Sequence, residues 1–138
     1  MNILFFLIPK SMVAYVESSY TIRQVAEKLD YHRYSTIPIL DANGKYLDSV
    51  SDGDLFWFVK HRYDMSYRSS EQTNIMEVPL RRRYQPIRYD ASMDDLLSLA
   101  MNQNFVPVLD DHDVFIGIVT RKAIIEFFTK SGKKSNTD

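Results

Sequence analysis

The chain has 138 residues, 45% of them hydrophobic and 13% aromatic, with a formal net charge of −1. That content suffices for a core and argues against disorder, while the near-neutral balance gives no bulk electrostatic support for nucleic acid or a membrane as partner. The absence of cysteine excludes disulfide frameworks and thiolate metal sites, and it fits a reducing compartment, with the cytoplasm expected.

Residues 3–8 are all apolar, too short a run for a secretory core and without a basic flank before it. A membrane span needs about 20 apolar residues, so this segment is expected to pack as a first turn on the domain. Residues 13–16 read as a short strand. Thr21 and Gln24 have capping-box spacing, and Ile22, Val25, Ala26 and Leu29 follow at helical spacing. Residues 37–40 read as a strand, Asn43-Gly44 as a hairpin turn, and residues 46–50 as the returning strand. Ser51 can cap a helix from Asp52 to about Lys60. Residues 61–78 read as a connection, helical in part. The order then recurs: a strand over 86–89, a helix opened by Ser92 and carrying Leu96, Leu97 and Ala100, strands over 105–109 and 114–119, and a helix capped by Thr120 and running through Phe128.

The recurrence is an internal duplication. Pro38 matches Pro107, Leu40 matches Leu109, Asp41 matches Asp110, Val50 matches Val119 and Ser51 matches Thr120, all at one constant offset. A unit of roughly 60 residues buries only about 60% of its unfolded surface, so two copies are expected to bury a shared face. The fold class is therefore α/β (α+β), two β-α-β-β-α repeats. The expected boundaries are 1–64 for the first repeat with its N-terminal segment, 65–78 for a linker, 79–130 for the second repeat and 131–138 for a disordered tail.

The repeated Pro-Ile-Leu-Asp and Pro-Val-Leu-Asp strands and the Gly-Ile-Val-Thr run ending at Thr120 resemble a pair of CBS domains, a Bateman module, over residues 8–128. Residues 12–16 and 115–122 further resemble small stand-alone CBS proteins that bind cyclic di-AMP. The resemblance implies repeats packed with pseudo-two-fold symmetry, adenosine-containing ligands in clefts between them, and flat homodimers. Carried over by residue, a first cleft uses Val13, Ala14, Ser35, Thr36 and Ile37 with Thr120, Arg121 and Lys122. A second uses Ser51, Asp54, Gln85, Pro86, Asn104, Phe105 and Val106.

The residue chemistry separates the two clefts. A helix N-terminus favours phosphate. Thr120 adds a hydroxyl there, and Arg121 with Lys122 adds two cations, one a fork suited to bidentate contact. Backbone groups at Val13, Ala14, Thr36 and Ile37 can read an adenine edge. The acid that usually follows the hydroxyl by three residues to hold a ribose diol is Ala123 here, which favours a ligand whose ribose is tied into phosphodiesters. In the second cleft Asp54 keeps that acid, but Asp52 repels phosphate, so a nucleoside or AMP-like ligand binds weakly or the cleft is empty.

Plainer readings stand beside these. Thr120 and Ser51 cap helices whether or not a ligand binds, Asp54 suits a helix start, and Arg121 with Lys122 can form a solvated first turn. Cations at a helix N-terminus are nonetheless unfavourable without a compensating anion, which points to an anionic ligand. Arg81, Arg82, Arg83 and Arg88 form the densest basic patch and read as a solvated run. Phe56, Trp57, Phe58, Tyr63, Phe127 and Phe128 are too many large side chains for one small core; the resemblance implies that part of this set forms the dimer surface, and the plainer reading is a wide intramolecular core. His32, His61 and His112 share no ligand spacing, so no metal site is expected. No nucleophile with a base and no glycine-rich phosphate loop is present.

The expectation is a non-catalytic regulatory module with no catalytic cofactor. It binds an adenine nucleotide, cyclic di-AMP ahead of AMP, ADP or ATP, forms a homodimer and signals to a separate effector protein. The alternative is a structural, dimerising scaffold with vestigial nucleotide clefts.

Overall fold

The β-α-β-β-α order forms twice in the computed structural model, which describes residues 1–62 and 66–137. The chain divides into two units, Ala14–Tyr84 and Met1–Val13 with Gln85–Asp138. A 3-10 turn (Ile3–Phe6), a short strand β1 (Ile8–Pro9) and a second 3-10 turn (Lys10–Met12) come first.

In the unit Ala14–Tyr84, strand β2 is Val16–Glu17, later and shorter than the strand expected over 13–16. Only these two residues find ladder partners: Val16 and Glu17 pair in parallel with Ile39 and Leu40 of β3 (Thr36–Leu40). β3 pairs antiparallel with β4 (Tyr46–Ser51), giving the sheet order β2-β3-β4. Helix α1 (Ile22–His32) starts with the expected reciprocal cap, Gln24 N–H to the Thr21 hydroxyl and Thr21 N–H to Gln24 Oε1. It buries Ile22, Val25 and Leu29, whereas Ala26 stays exposed, so the apolar stripe is narrower than expected. Helix α2 (Asp52–Lys60) follows Ser51 directly. The connection adds α3 (Tyr67–Gln72) and a 3-10 turn (Ile75–Glu77). It joins this unit's core through buried Ile75 and Val78, and it is tied to the start of α1 by Ile22 N–H to Thr73 O and Ile75 N–H to Tyr20 O.

The other unit holds β5 (Ile87–Arg88), α4 (Met93–Ala100), β6 (Phe105–Leu109), β7 (Phe115–Thr120) and α5 (Arg121–Thr137). Its sheet order is β1-β7-β6-β5, because β1 pairs antiparallel with β7, Ile8 opposite Ile118 and Pro9 opposite Gly117. The apolar first turn packs as expected: Ile3 is fully buried and Phe6 nearly so, in one cluster with Leu96, Val106, Val108 and Val119. α5 runs past Phe128 to Thr137; no proline follows Pro107, and Gly132 alone costs a helix only about 1 kcal/mol.

The duplication extends to irregularities. The β3–β4 and β6–β7 ladders each shift register at the matching residue, after Ile39 and after Val108. The turns match as well. Asp41 accepts from the amides of Asn43 and Lys45, and Asp110 from those of His112 and Val114. Gly44 takes the left-handed conformation, φ 81°, and Asp113 takes it in the other copy, φ 64°.

Candidate functional site

Each unit brings its polar candidate residues to one end of its sheet, where a strand gives way to a helix. In Ala14–Tyr84, Thr36 lies opposite Ser51 in the ladder, and the carbonyl of Ser35 accepts the Asp52 amide at 2.8 Å. In the other unit Phe105 lies opposite Thr120, and the carbonyl of Asn104 accepts the Arg121 amide at 2.9 Å. The two helix starts are thus anchored by the same backbone bond. Ser35 and Asn104 are exposed, Thr36 and Thr120 half-buried, while Ile37, Phe105 and Val106 are buried, so these last three offer a ligand only their main chain.

At the start of α5, the Thr120 hydroxyl accepts the Ala123 amide at 3.1 Å, the expected cap. Arg121 lies along the surface toward α4 and donates through Nε to the Ala100 carbonyl at 2.7 Å. That carbonyl is among the last of α4, where acceptors lack helical partners and the dipole is negative. The conflict of a cation at a helix N-terminus therefore has an internal answer: α5 tolerates Arg121 because the end of α4 attracts it. Lys122 is exposed, 4.0 Å from Glu126 one turn along.

At the start of α2, Asp54 is only 3% exposed. One carboxylate oxygen accepts the Ser51 amide at 2.9 Å and the other the Arg81 amide at 2.9 Å. The acid expected to hold a ribose diol thus ties the 79–84 segment to the helix start. Asp52 is exposed, with one oxygen turned back to the Gly53 amide.

Two side chains absent from the sequence reading organise the neighbouring backbone. Gln103, 4% exposed, accepts the Gln85 amide at 2.7 Å and donates to the carbonyls of Gln85 and Phe105 at 3.0 and 3.2 Å. Lys28 donates to the Tyr15 carbonyl at 2.6 Å. Nothing in the polar run Asn102-Gln103-Asn104 marks the middle residue as the inward one. Of the other candidates, Val13 donates to the Lys10 carbonyl, Ala14 and Pro86 are half-buried, and the Gln85 side chain is exposed.

The basic patch is exposed, as expected of a solvated run, and three of its four arginines have a ring or an acid beside them. Arg81 lies 4.8 Å from the Trp57 ring, Arg83 stands 3.9 Å from Asp48 and Arg88 3.3 Å from Asp90. Asp48 also accepts the amides of Ser49 and Tyr84. The half-buried Tyr46 phenol donates to the Tyr84 carbonyl at 2.8 Å, and desolvation pushes its pKa well above the ordinary tyrosine value. Phe127 packs edge-on against Phe5 and Phe6, whereas Phe56 and Phe128 are exposed and Trp57 and Phe58 half-buried. Tyr63 lies outside the described residues. Asp110, Asp111 and His112 approach one another in the β6–β7 turn, but the Asp110 carboxylate already serves two turn amides and His112 pairs with Asp111 at 3.1 Å. Among the described residues no helix is long and apolar enough to cross a membrane.

A family model for the CBS domain matches residues 8–61 and 75–130. No curated protein matches the chain. Among solved structures it is similar to CbpB in complex with c-di-AMP, at 23% identity and TM-score 0.87 over 99% of this chain and 90% of that one. A hypothetical conserved protein from Geobacillus kaustophilus is similar at 27% identity and TM-score 0.85, over 95% and 98%. The Listeria monocytogenes CbpB protein in complex with c-di-AMP is similar at 21% and 0.81, over 94% and 96%.

Proposed function

The chain belongs to the CBS domain family, and we propose that it is a non-catalytic regulatory module that binds an adenine nucleotide, cyclic di-AMP by preference. The observation that carries this reading is the start of α5, where a helix N-terminus, the Thr120 hydroxyl and two cations, Arg121 and Lys122, occur together. Solved relatives of the same fold that hold c-di-AMP support the choice of ligand.

With the Arg121 and Ala123 amides already bonded to Asn104 and Thr120, the Lys122 amide is the first-turn donor left to stabilise a phosphate oxygen. Thr120 accepts from Ala123 through its oxygen, so its proton is available to donate to the ligand. Arg121, steadied through Nε by the Ala100 carbonyl, adds charge-assisted hydrogen bonds. The adenine edge is read by main-chain groups at Ala14 and Thr36. Ala123 offers no carboxylate to a free ribose, which favours a cyclic dinucleotide over AMP, ADP or ATP. Output passes through a homodimer to a separate effector protein by a population shift, and a near-complete switch requires about 5.5 kcal/mol of differential affinity.

Calorimetric titration with cyclic di-AMP tests the reading. Arg121→Ala removes a charge-assisted contact of roughly 1.5–3 kcal/mol and is expected to weaken binding about 10- to 100-fold. Arg121→Lys, which keeps the charge without the fork, is expected to fall between. Equal affinity in wild type and Arg121→Ala, with unchanged thermal stability, overturns the assignment to α5.

The internal engagement of Asp54 favours a second reading at that residue, a dimerising scaffold with vestigial clefts. A stable dimer that takes up none of cyclic di-AMP, AMP, ADP or ATP at millimolar concentration selects it.

A further inference from the structure

The two repeats treat one backbone position in opposite ways. Val16 pairs with Ile39 and Ile87 with Val108, matching residues of the duplicated strands. Ala14 and Gln85 therefore occupy the same place, two residues ahead of the first ladder pair. Among the described residues, the N–H and C=O of Ala14 make no hydrogen bond. The N–H and C=O of Gln85 are both taken, by Oε1 and Nε2 of one buried carboxamide, Gln103. Pro86 has no N–H, so Gln85 carries the donor of that stretch.

An adenine presents a ring-nitrogen acceptor beside an exocyclic amino donor, and a main-chain N–H beside a C=O complements that pair. A glutamine carboxamide presents the same pair, one acceptor and one donor group. Resting on the proposed function, we infer that Gln103 occupies the base-reading edge of its own repeat as an internal substitute for adenine. The edge at Ala14 is then the one that takes the nucleobase. An N–H serves one good acceptor at a time, so adenine reaches Gln85 only by displacing a carboxamide that also holds the Phe105 carbonyl. In the matching strand approach of the first repeat, Tyr34 stands where Gln103 stands in the second, and it is 42% exposed and stacked on His32. The duplicated scaffold thus carries one open and one self-occupied base edge, and Gln103 sets how many nucleotides the chain accepts.

Wild type and Gln103→Ala are titrated with cyclic di-AMP and with AMP, and binding sites per chain are counted. The variant is expected to gain one site per chain for at least one of the two nucleotides, with the original site's affinity changed by less than about twofold. Unchanged site counts for both nucleotides, alongside binding by wild type, overturn the inference and leave the proposed function standing. Binding by neither protein overturns both. Should Gln103→Ala prove too unstable to titrate, amide resonances of the wild type decide. Saturating nucleotide is expected to shift Ala14 and leave Gln85 and the Gln103 side chain in place; displacement of the Gln103 carboxamide by the nucleotide overturns the inference.

Discussion

The carboxylate of Asp110 accepts the amides of Val114 and His112 at 3.0 and 2.8 Å, and these bonds hold its pKa below the ordinary aspartate value. A depressed folded pKa contributes stability that is present above the unfolded value, about 3.9, and is lost as pH falls through the folded one. Asp110→Asn is therefore expected to melt below wild type near neutral pH, with the gap narrowing as the solution is acidified below about pH 4. Melting temperatures across an acid series check this, and a gap that does not change with pH removes Asp110 from the acid response. At this scale the sequence was legible wherever a side chain answers a neighbour in the chain. The caps at Thr21, Ser51, Ser92 and Thr120 follow from spacing alone. It was illegible where the partner is distant. Asp54 reaches the Arg81 amide and Gln103 reaches Gln85, across separations that no local pattern encodes.

The helices and the two β-hairpins were legible as elements because apolar periodicity and turn chemistry are local. The two-residue strands were legible only in part: β5 lies inside the strand expected over 86–89 and β2 starts at the last residue of the one expected over 13–16, but β1 was not expected, since a pair such as Ile8–Pro9 is too short to show a period. β1 depends on one residue across the ladder. Gly117, opposite Pro9, has φ 154°, and a Cβ there would overlap the Ile8 carbonyl oxygen and crowd the Leu7 side chain. Gly117→Ala must push β1 away or distort β7, and overpacking of this kind typically costs about 1–3 kcal/mol. Denaturant unfolding is expected to show that loss, and amide exchange is expected to speed up in β1. If β1 remains as protected as in wild type, its attachment does not run through Gly117. A detached β1 leaves the turn that carries the fully buried Ile3 without its strand anchor.

Across the whole molecule, the duplicated residues and the diverged ones do different work. Prolines, aspartate turns and register shifts repeat because they build each sheet, whereas Thr-Arg-Lys-Ala at 120–123 and Ser-Asp-Gly-Asp at 51–54 differ where a ligand is proposed to sit. A third class belongs to neither set. Phe56 and Val59 on α2 are 59% and 40% exposed, and Ile125 and Phe128 on α5 are 56% and 49% exposed. Each pair is three residues apart, so it lies on one helix face. The proposed homodimer gives these side chains a burial that their own unit does not, and a stable interface buries about 1,200–2,000 Å² in total. Placing a charge on each of these helix faces, Phe56→Glu with Ile125→Glu, is expected to convert a dimer to a monomer in sedimentation equilibrium. Exposed positions normally change folding stability by no more than about 0.5 kcal/mol, so the isolated chain's helical content is expected to remain. A wild-type monomer, or a double variant that still sediments as a dimer, removes these faces from the assembly. If the variant is monomeric yet binds cyclic di-AMP as wild type does, the nucleotide site is complete within one chain and the dimer serves the output.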